Sequence, residues 1–335
     1  MERLPCGEGV EEARLSPTPQ MAEKEPVFTL VRELILAGGM IGIIVLGMWA
    51  HTGTMPPLVV VESKSMMHDS DGQLGAIDAG DLVLVHSPES KTIISYAEAT
   101  DPNNANYGHE SHGTAGDVII YNRNGETDST PIIHRVIISI LAERTIAPNS
   151  NGTCDEGVLY EGQCILSWTV PGTDQYDVEN ITFSFDGNDT GLYSCGENWL
   201  NASEKIPRHP GFITLGDNNN CSDDQAFFQP YGGVMSGHSG MIQPIKSEWI
   251  IGIAGAEIPW LGVVKLFVSG GDSPGVSQVP GSSFFYLILT IGGILAAPVV
   301  LEPVARKLLV GSPEMIEAER EDAMAALVSA LGEEE

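Results

Sequence analysis

Two apolar segments of membrane length are the feature that most restricts the folds open to this chain. The first runs from Val27 to Ala50, and its part from Leu34 onward carries no charge. The second, Phe284 to Leu301, is also uncharged. About 20 apolar residues are enough for a helix to cross a bilayer. The sequence therefore predicts transmembrane helices over 27–50 and 283–302.

The basic residues beside these segments predict how the chain is oriented. Arg306 and Lys307 follow the second segment directly, which places that side in the cytoplasm by the positive-inside rule. Two spans then put both termini inside and residues 51–282 outside, as expected for a multi-pass protein of the cell membrane. A cleavable signal peptide is the alternative for the first segment. The long acidic stretch before it and the length of the apolar part favour an uncleaved anchor.

The flanking tails are predicted to differ in structure. Residues 1–26 are polar and rich in Glu and Pro, which is typical of a disordered cytoplasmic tail. In the second cytoplasmic tail, 303–335, apolar residues recur at helical spacing over 314–331. That spacing predicts a short amphipathic helix.

Cysteines and sequons both indicate that the middle region lies outside the cytosol. Four cysteines fall there, none in a C-x-x-C pair, which argues against a zinc site. They allow two disulfides in any of three pairings. The same region holds five N-x-[ST] sequons. The cysteines are Cys154, Cys164, Cys195 and Cys221, and the sequons begin at Asn151, Asn180, Asn188, Asn201 and Asn220.

Charge argues against one class of function. The chain of 335 residues has 16 Lys and Arg against 45 Asp and Glu, a formal net charge of −29. Binding of nucleic acid depends on the neutralisation of phosphates by Lys and Arg, so no nucleic-acid partner is expected. The acidity is typical of a well-solvated surface. No metal and no cofactor is expected.

Short apolar runs predict a mainly β domain over 51–282. Two stretches dense in Asn, Asp, Gly, Ser and Thr, near 87–115 and 144–210, are expected to be loop-rich insertions on this scaffold. The predicted strands are Leu58–Val61, Leu82–Val85, Val118–Tyr121, Ile132–Leu141, Phe212–Leu215 and Ile250–Ala254.

Four segments carry residues suited to catalysis. Ser63 to Met66 reads S-x-S-M at the end of a strand, and Pro131 to Val136 places a histidine in an apolar run. Gly216 to Asp224, GDNNNCSDD, follows a strand directly, and Gly252 to Gly262 leads into a Pro-Trp corner. A hydroxyl, an imidazole and a carboxylate can form a nucleophile, a base and an orienting group, although a triad is defined by geometry rather than by chain order.

These segments, in this order behind a membrane anchor, resemble type I signal peptidases of the archaeal and endoplasmic-reticulum type, which use Ser and His. The likeness also includes the two Gly-Asp runs that begin at Gly80 and Gly116, and it spans roughly residues 34 to 270, without the insertions. It implies a signal-peptidase-like β catalytic domain flanked by the two transmembrane helices.

The resemblance also implies roles for individual residues. Ser65 would be the nucleophile and His134 the general base. Ser63 would help bind the oxyanion, beside the backbone N–H of Ser65. Met66 would lie at the substrate-binding side of the same box, although its apolar side chain by itself favours packing.

The aspartates leave one choice open. Asp217 matches the aspartate of the family's G-D-N-N box. The second family aspartate falls in the D-D pair, where alignment on the pair gives Asp224 and counting from Asp217 gives Asp223. We favour Asp224.

The implied activity is a serine endopeptidase that cleaves after small residues and removes signal peptides from exported preproteins. Its expected partners are signal peptides, membrane lipid and the protein-translocation channel. One alternative is a membrane-tethered β-rich binding domain without catalysis. A self-processing regulator is another, but the first 26 residues are too short and acidic for a DNA-binding domain.

Overall fold

An antiparallel sheet of seven strands forms the centre of the fold, and one of its strands carries His134. The computed structural model describes residues 26–183, 185–186, 199–200, 204–227, 235–236, 240–269, 275–309, 317 and 320–324. The strands are β1 (Leu58–Val60), β2 (Leu82–His86), β3 (Glu110–Ser111), β4 (Thr114–Ala115), β5 (Val118–Tyr121), β6 (Ile132–Ala142), β7 (Thr145–Ile146), β8 (Val158–Tyr160), β9 (Gln163–Ile165), β10 (Trp168–Thr169), β11 (Phe185–Asp186), β12 (Trp199–Leu200), β13 (Gly211–Leu215), β14 (Met235–Ser236), β15 (Gly240–Met241) and β16 (Ile250–Ile258).

The order of the strands in the central sheet is β1-β2-β16-β5-β6-β10, and β13 also pairs with β6. All these pairs are antiparallel. All six predicted strand runs are strands of this sheet. Its two longest strands, β6 and β16, lie in the middle of this order, and β6 carries His134.

Strand β6 is buried over seven consecutive residues, His134 to Ile140. Side chains of a strand point alternately to the two faces of a sheet, so this pattern means that both faces are covered. The isoleucines at 137, 138 and 140 belong to one apolar core with Trp168 and Leu215. A strand covered on both faces shows no clean alternation in sequence, which explains why Ile132–Leu141 alternates only partly.

The two insertions contain short strands rather than only loops. The first holds the hairpin β3-β4 and a five-residue helix, and the second holds the three-stranded sheet β7-β9-β8. A disulfide joins Cys154 to Cys164 in the second insertion. Cys221 is also disulfide-bonded, and Cys195 lies outside the described residues. Of the sequon asparagines, Asn151, Asn180 and Asn220 are exposed, while 188 and 201 are outside the described residues.

The helices are α1 (Pro26–Thr52), α2 (Tyr96–Thr100), α3 (Gly262–Val268), α4 (Gly275–Gln278) and α5 (Gly281–Leu309). Among the described helices, one is long and apolar enough to cross a membrane. It is α1, over the part from Leu30 to Thr52. The second predicted span falls in α5, whose apolar part, Gly281–Ala297, is shorter. Residues 1–50 and 51–335 form two separate units.

The prediction of a mainly β chain is correct only in part. The chain is mixed, with 30% helix and 24% strand, because the two long helices near its ends outweigh the many short strands. Residues 1–25 of the predicted disordered tail lie outside the described residues, and its last residue, Pro26, begins α1. Of the predicted amphipathic helix 314–331, residues 317 and 320–324 are described and are helical.

Candidate active site

Ser65 lies on a turn that follows β1 and is fixed from both sides. Met66 and Met67 are 1% and 2% exposed, so the residues after Ser65 are anchored in the core. The Ser65 carbonyl accepts a 2.8 Å hydrogen bond from the Asn218 backbone N–H, and the Asn218 amide donates to the Lys64 carbonyl at 3.1 Å. The G-D-N-N turn therefore holds the serine turn directly.

The hydroxyl of Ser65 is half-buried and lies 3.1 Å from the Ser63 hydroxyl. Among the described residues, neither Ser65 Oγ nor any other Ser65 atom makes a hydrogen bond to His134, and the Ser65 N–H donates none. Two groups that can donate hydrogen bonds, the Ser63 hydroxyl and the Ser65 N–H, therefore lie close to the Ser65 hydroxyl. Catalytic hydrogen bonds are often long without substrate and tighten when it binds.

His134 is placed by the register of the central sheet. It pairs with Ile119 of β5, and it is 5% exposed. Its Nδ1 lies 2.6 Å from Asp224 Oδ2. A carboxylate accepts hydrogen bonds, so Nδ1–H is the donor, and Nε2 of the neutral ring is left to accept a proton.

The carboxylate of Asp224 is fully buried and its Oδ2 accepts two further hydrogen bonds. Tyr121 OH donates at 2.9 Å and Thr214 Oγ1 at 2.7 Å. Gln225 Nε2 donates in turn to Thr214 Oγ1 at 3.0 Å. Burial, followed by the negative charge of Asp224, raises the pKa of Tyr121 well above its usual value, so the phenol remains a donor. These contacts fix the oxygen that holds the imidazole.

Gly216 shows that the histidine and serine segments meet at one point. A Cβ on Gly216 would lie 2.7 Å from His134 Nε2 and 2.8 Å from the Ser65 carbonyl oxygen. Nε2, the atom that can take a proton, therefore faces the turn that carries Ser65. Because these distances are too short for any real Cβ, only glycine allows this approach.

Ser63, Ser65 and His134 line a common cleft of about 360 Å³. Its apolar lining comes from Val60 and Val61 and from the stretch Pro131 to Ile133. Within the described part of the chain this lining includes no lysine: Lys64 is exposed, and Lys91 pairs with Asp117 at 3.0 Å. The imidazole that lines the cleft with Ser65 is that of His134.

A triad needs its carboxylate beside the imidazole of the base, whereas the carboxylate of Asp217 lies beside Arg135 and His68. Its carboxylate accepts two hydrogen bonds from Arg135, at 2.9 and 2.7 Å, and one from His68 Nε2 at 2.8 Å. Burial alone would raise the pKa of Asp217, but the positive charge of Arg135 and these hydrogen bonds outweigh it and lower that pKa. Arg135 also donates to the carbonyls of Ser111 and Gly116 at 2.8 Å. Asp217 thus ties β6 to the neighbouring turns.

Two other sequence-derived residues lie in structural positions. Asp223 is buried, its backbone bridges to Leu215, and its carboxylate accepts from the Phe227 N–H. Of the two adjacent aspartates, the geometry therefore favours Asp224 as the partner of the histidine. Met66 belongs to an apolar core with Val61 and is not part of the cleft lining, so the structure supports packing rather than substrate contact.

Sequence reasoning missed several residues around the site. Tyr121 and Thr214 appeared only as members of predicted strands, and no local signal distinguishes them from other strand residues. Arg135 follows His134 within the otherwise apolar run Pro131 to Val136, which was a signal that its charge would need a buried partner. His68 carried no signal.

In comparisons with known proteins, no family model and no curated sequence matches this chain.

Proposed function

We propose that this chain is a membrane-bound serine endopeptidase of the type I signal peptidase kind, which removes N-terminal signal peptides from exported preproteins. The observation that carries the proposal is the approach of His134 Nε2 to the Ser65 turn, with Nδ1 held by the buried carboxylate of Asp224. A nucleophile, a base and an orienting group are the parts that acyl transfer by serine requires.

The proposed chemistry assigns each group one task. The Ser65 hydroxyl attacks the carbonyl carbon of the scissile bond while His134 Nε2 takes its proton. The Ser63 hydroxyl and the Ser65 N–H donate to the oxygen that becomes negative. His134 then gives its proton to the leaving amine, and water releases the acyl group from Ser65. Asp224 stabilises the imidazolium that forms between these steps.

The apolar helix α1 supports a place at the membrane for this activity. A multi-pass protein with α5 as a second span, both termini in the cytoplasm and the peptidase domain outside, is part of the proposal. Fifteen residues separate Ser65 from Ala50, so the nucleophile lies within ~50 Å of the end of the apolar segment even for an extended chain. A substrate held in the same bilayer by its own apolar segment, and with small residues before the scissile bond, suits that position. The proposed partners are such preproteins, membrane lipid and the protein-translocation channel.

The experiment is cleavage of a preprotein by the purified full-length chain in lipid vesicles. We expect wild type to release the signal peptide and Ser65→Ala to release none, because the attacking oxygen is absent. Lys64→Ala is the matched control, because Lys64 is the exposed neighbour of Ser65. This variant is expected to retain cleavage. Equal processing by wild type and Ser65→Ala, or none by either, would contradict the proposal and favour a binding domain.

A further inference from the structure

Arg123 is the one guanidinium that lines the cleft with Ser65 and His134 in the part of the chain that the structure describes. It begins a 3₁₀ turn, Arg123–Gly125, that directly follows β5 and Asn122. The turn is held in place: Asn122 N–H donates to the Trp249 carbonyl at 2.9 Å, and Asn124 Oδ1 accepts from Gln243 N–H at 2.7 Å. The base of the Arg123 side chain is therefore fixed at the cleft.

The guanidinium of Arg123 has no hydrogen-bond or ion-pair partner among the described residues. Its Nε is buried and makes no hydrogen bond. Glu62, the carboxylate that lines the same cleft, pairs with Lys265 at 3.3 Å instead. A buried donor without a partner costs free energy, and a guanidinium keeps its positive charge. In a chain of net charge −29, a cation without an ion-pair partner among the described residues can bind an anionic ligand at this point.

We infer that Arg123 binds a carboxylate of the peptide substrate close to the scissile bond, so that the enzyme prefers an acidic residue beside its cleavage site. The inference rests on the proposed function and adds a specificity determinant to it. A guanidinium binds a carboxylate through two parallel, charge-assisted hydrogen bonds, which an amide of the same shape cannot replace. Arg123 is a substrate-binding residue and takes no part in proton transfer.

The test uses the full-length protein in neutral-lipid vesicles and peptide pairs that differ only by Glu against Gln, at each position near the scissile bond other than the small residues before it. At one position we expect wild type to cleave the Glu peptide about tenfold faster, measured as kcat/KM, because a charge-assisted hydrogen bond is lost with Gln. Arg123→Gln should remove this preference, so that the Glu and Gln peptides are cleaved at equal kcat/KM. Arg123→Lys should retain part of the preference, because the charge remains.

Arg144→Gln is the matched control, since Arg144 is an exposed arginine paired with Asp177 at 2.6 Å outside the cleft. It should keep the full Glu preference. Wild type that cleaves both peptides equally at every position would overturn the inference and leave the proposed function intact, whereas a wild type that cleaves no peptide would overturn both. An equal loss with both peptides in Arg123→Gln would also overturn it, because the guanidinium would then act on something other than a substrate carboxylate, such as a lipid phosphate.

Discussion

Three aspartates within eight positions have three different surroundings, and only one of them contacts an imidazole in the cleft. Asp224 holds His134, Asp217 holds Arg135 and His68, and Asp223 accepts a backbone N–H. A carboxylate that orients a catalytic histidine acts on the rate, whereas one that neutralises a buried arginine acts on the stability of the fold. The two roles can be separated by measurement.

We expect Asp224→Asn and Asp217→Asn to fail in different ways. Asp224→Asn should lower kcat by about 10²- to 10⁴-fold, because the histidine loses its orienting charge. Asp217→Asn should lower the free energy of unfolding by about 3 kcal/mol or more, since Arg135 is then a buried charge without a counter-ion. Cleavage kinetics and thermal unfolding of both variants would test this. A large loss of stability in Asp224→Asn with normal kcat per folded molecule would contradict the assignment.

At this scale, the sequence predicted residue types and their order but not which atoms meet. Ser65 and His134 stood out because their segments, S-x-S-M after a strand and a histidine within an apolar run, occur in the order seen in the resembled family. The preference for Asp224 over Asp223 rested only on alignment of the D-D pair, because adjacent residues point in different directions only once the bridge between Asp223 and Leu215 is formed. Tyr121 acts through a hydrogen bond to a residue 103 positions away, which no local pattern reveals.

At the scale of elements, β16 carries an irregularity that brings acidic residues together. Its pairing with β2 shifts register between Ala254 and Glu257, and Glu257 then accepts a 2.5 Å hydrogen bond from Gly75 N–H. Burial, with the negative charges of Asp81 and Asp78 in addition, raises the pKa of Glu257 to about 7. The nearest His112 nitrogen is 4.0 Å away, and burial, with Arg135 next, lowers the pKa of His112 to about 4.

This arrangement predicts a pH-dependent stability. The folded-state pKa of Glu257 lies above its usual 4.5, so folding favours the protonated form. Stability from this group is fully present below pH 4.5 and is lost as pH rises to about 7. Glu257→Gln should therefore be more stable than wild type by about 1–3 kcal/mol at pH 8, with the difference vanishing near pH 4. Thermal unfolding across pH would measure it.

Glu248→Gln is the control for that series, because it removes the same charge from a side chain that is 63% exposed. It should change stability by less than about 0.5 kcal/mol at every pH. A Glu257→Gln variant that is less stable than wild type at pH 8 would show that the carboxylate, once charged, is stabilised by its surroundings.

Strand positions were the part of the fold best predicted from sequence. Apolar runs such as Val118–Tyr121 and Phe212–Leu215 lie within one residue of the observed strands at each end, because short buried runs flanked by Gly and Asp have few other folds available. The bulge in β16 was not predicted, since a one-residue shift in pairing leaves no mark on an apolar run. The short strands of the insertions depend on tertiary contacts rather than on their own sequence.

At the scale of the whole molecule, the second insertion lies apart from the cleft that contains Ser65 and His134, because none of the described residues that line the cleft belongs to it. The insertion has its own sheet, β7-β9-β8, and Cys164 of β9 forms a disulfide with Cys154. The predicted fold class is correct in part, because the antiparallel strands and a long apolar helix near the N-terminus are present in a chain that is mixed rather than mainly β. Both membrane spans stay predictions.

Replacing both Cys154 and Cys164 by Ser should therefore affect the insertion and spare the cleft. We expect a loss of about 2–3 kcal/mol in the stability of this region, seen as faster limited proteolysis, because a closed loop becomes open in the unfolded chain. Cleavage of a preprotein should stay within about twofold of wild type. A substituted pair is preferable to a reducing agent, which would also open the disulfide of Cys221. A tenfold fall in preprotein cleavage, with the insertion still resistant to limited proteolysis, would contradict the independence of the cleft from the insertion.

The absence of a side chain at Gly216 makes the position of the His134 ring sensitive to one added carbon atom. A methyl group there would push the imidazole away while the hydroxyl, the ring and the carboxylate all remained chemically intact. If the proposed function holds, such a protein would bind a preprotein and leave it uncut with the attacking oxygen still present. Gly216→Ala is thus a starting point for capturing this chain together with the proposed substrate.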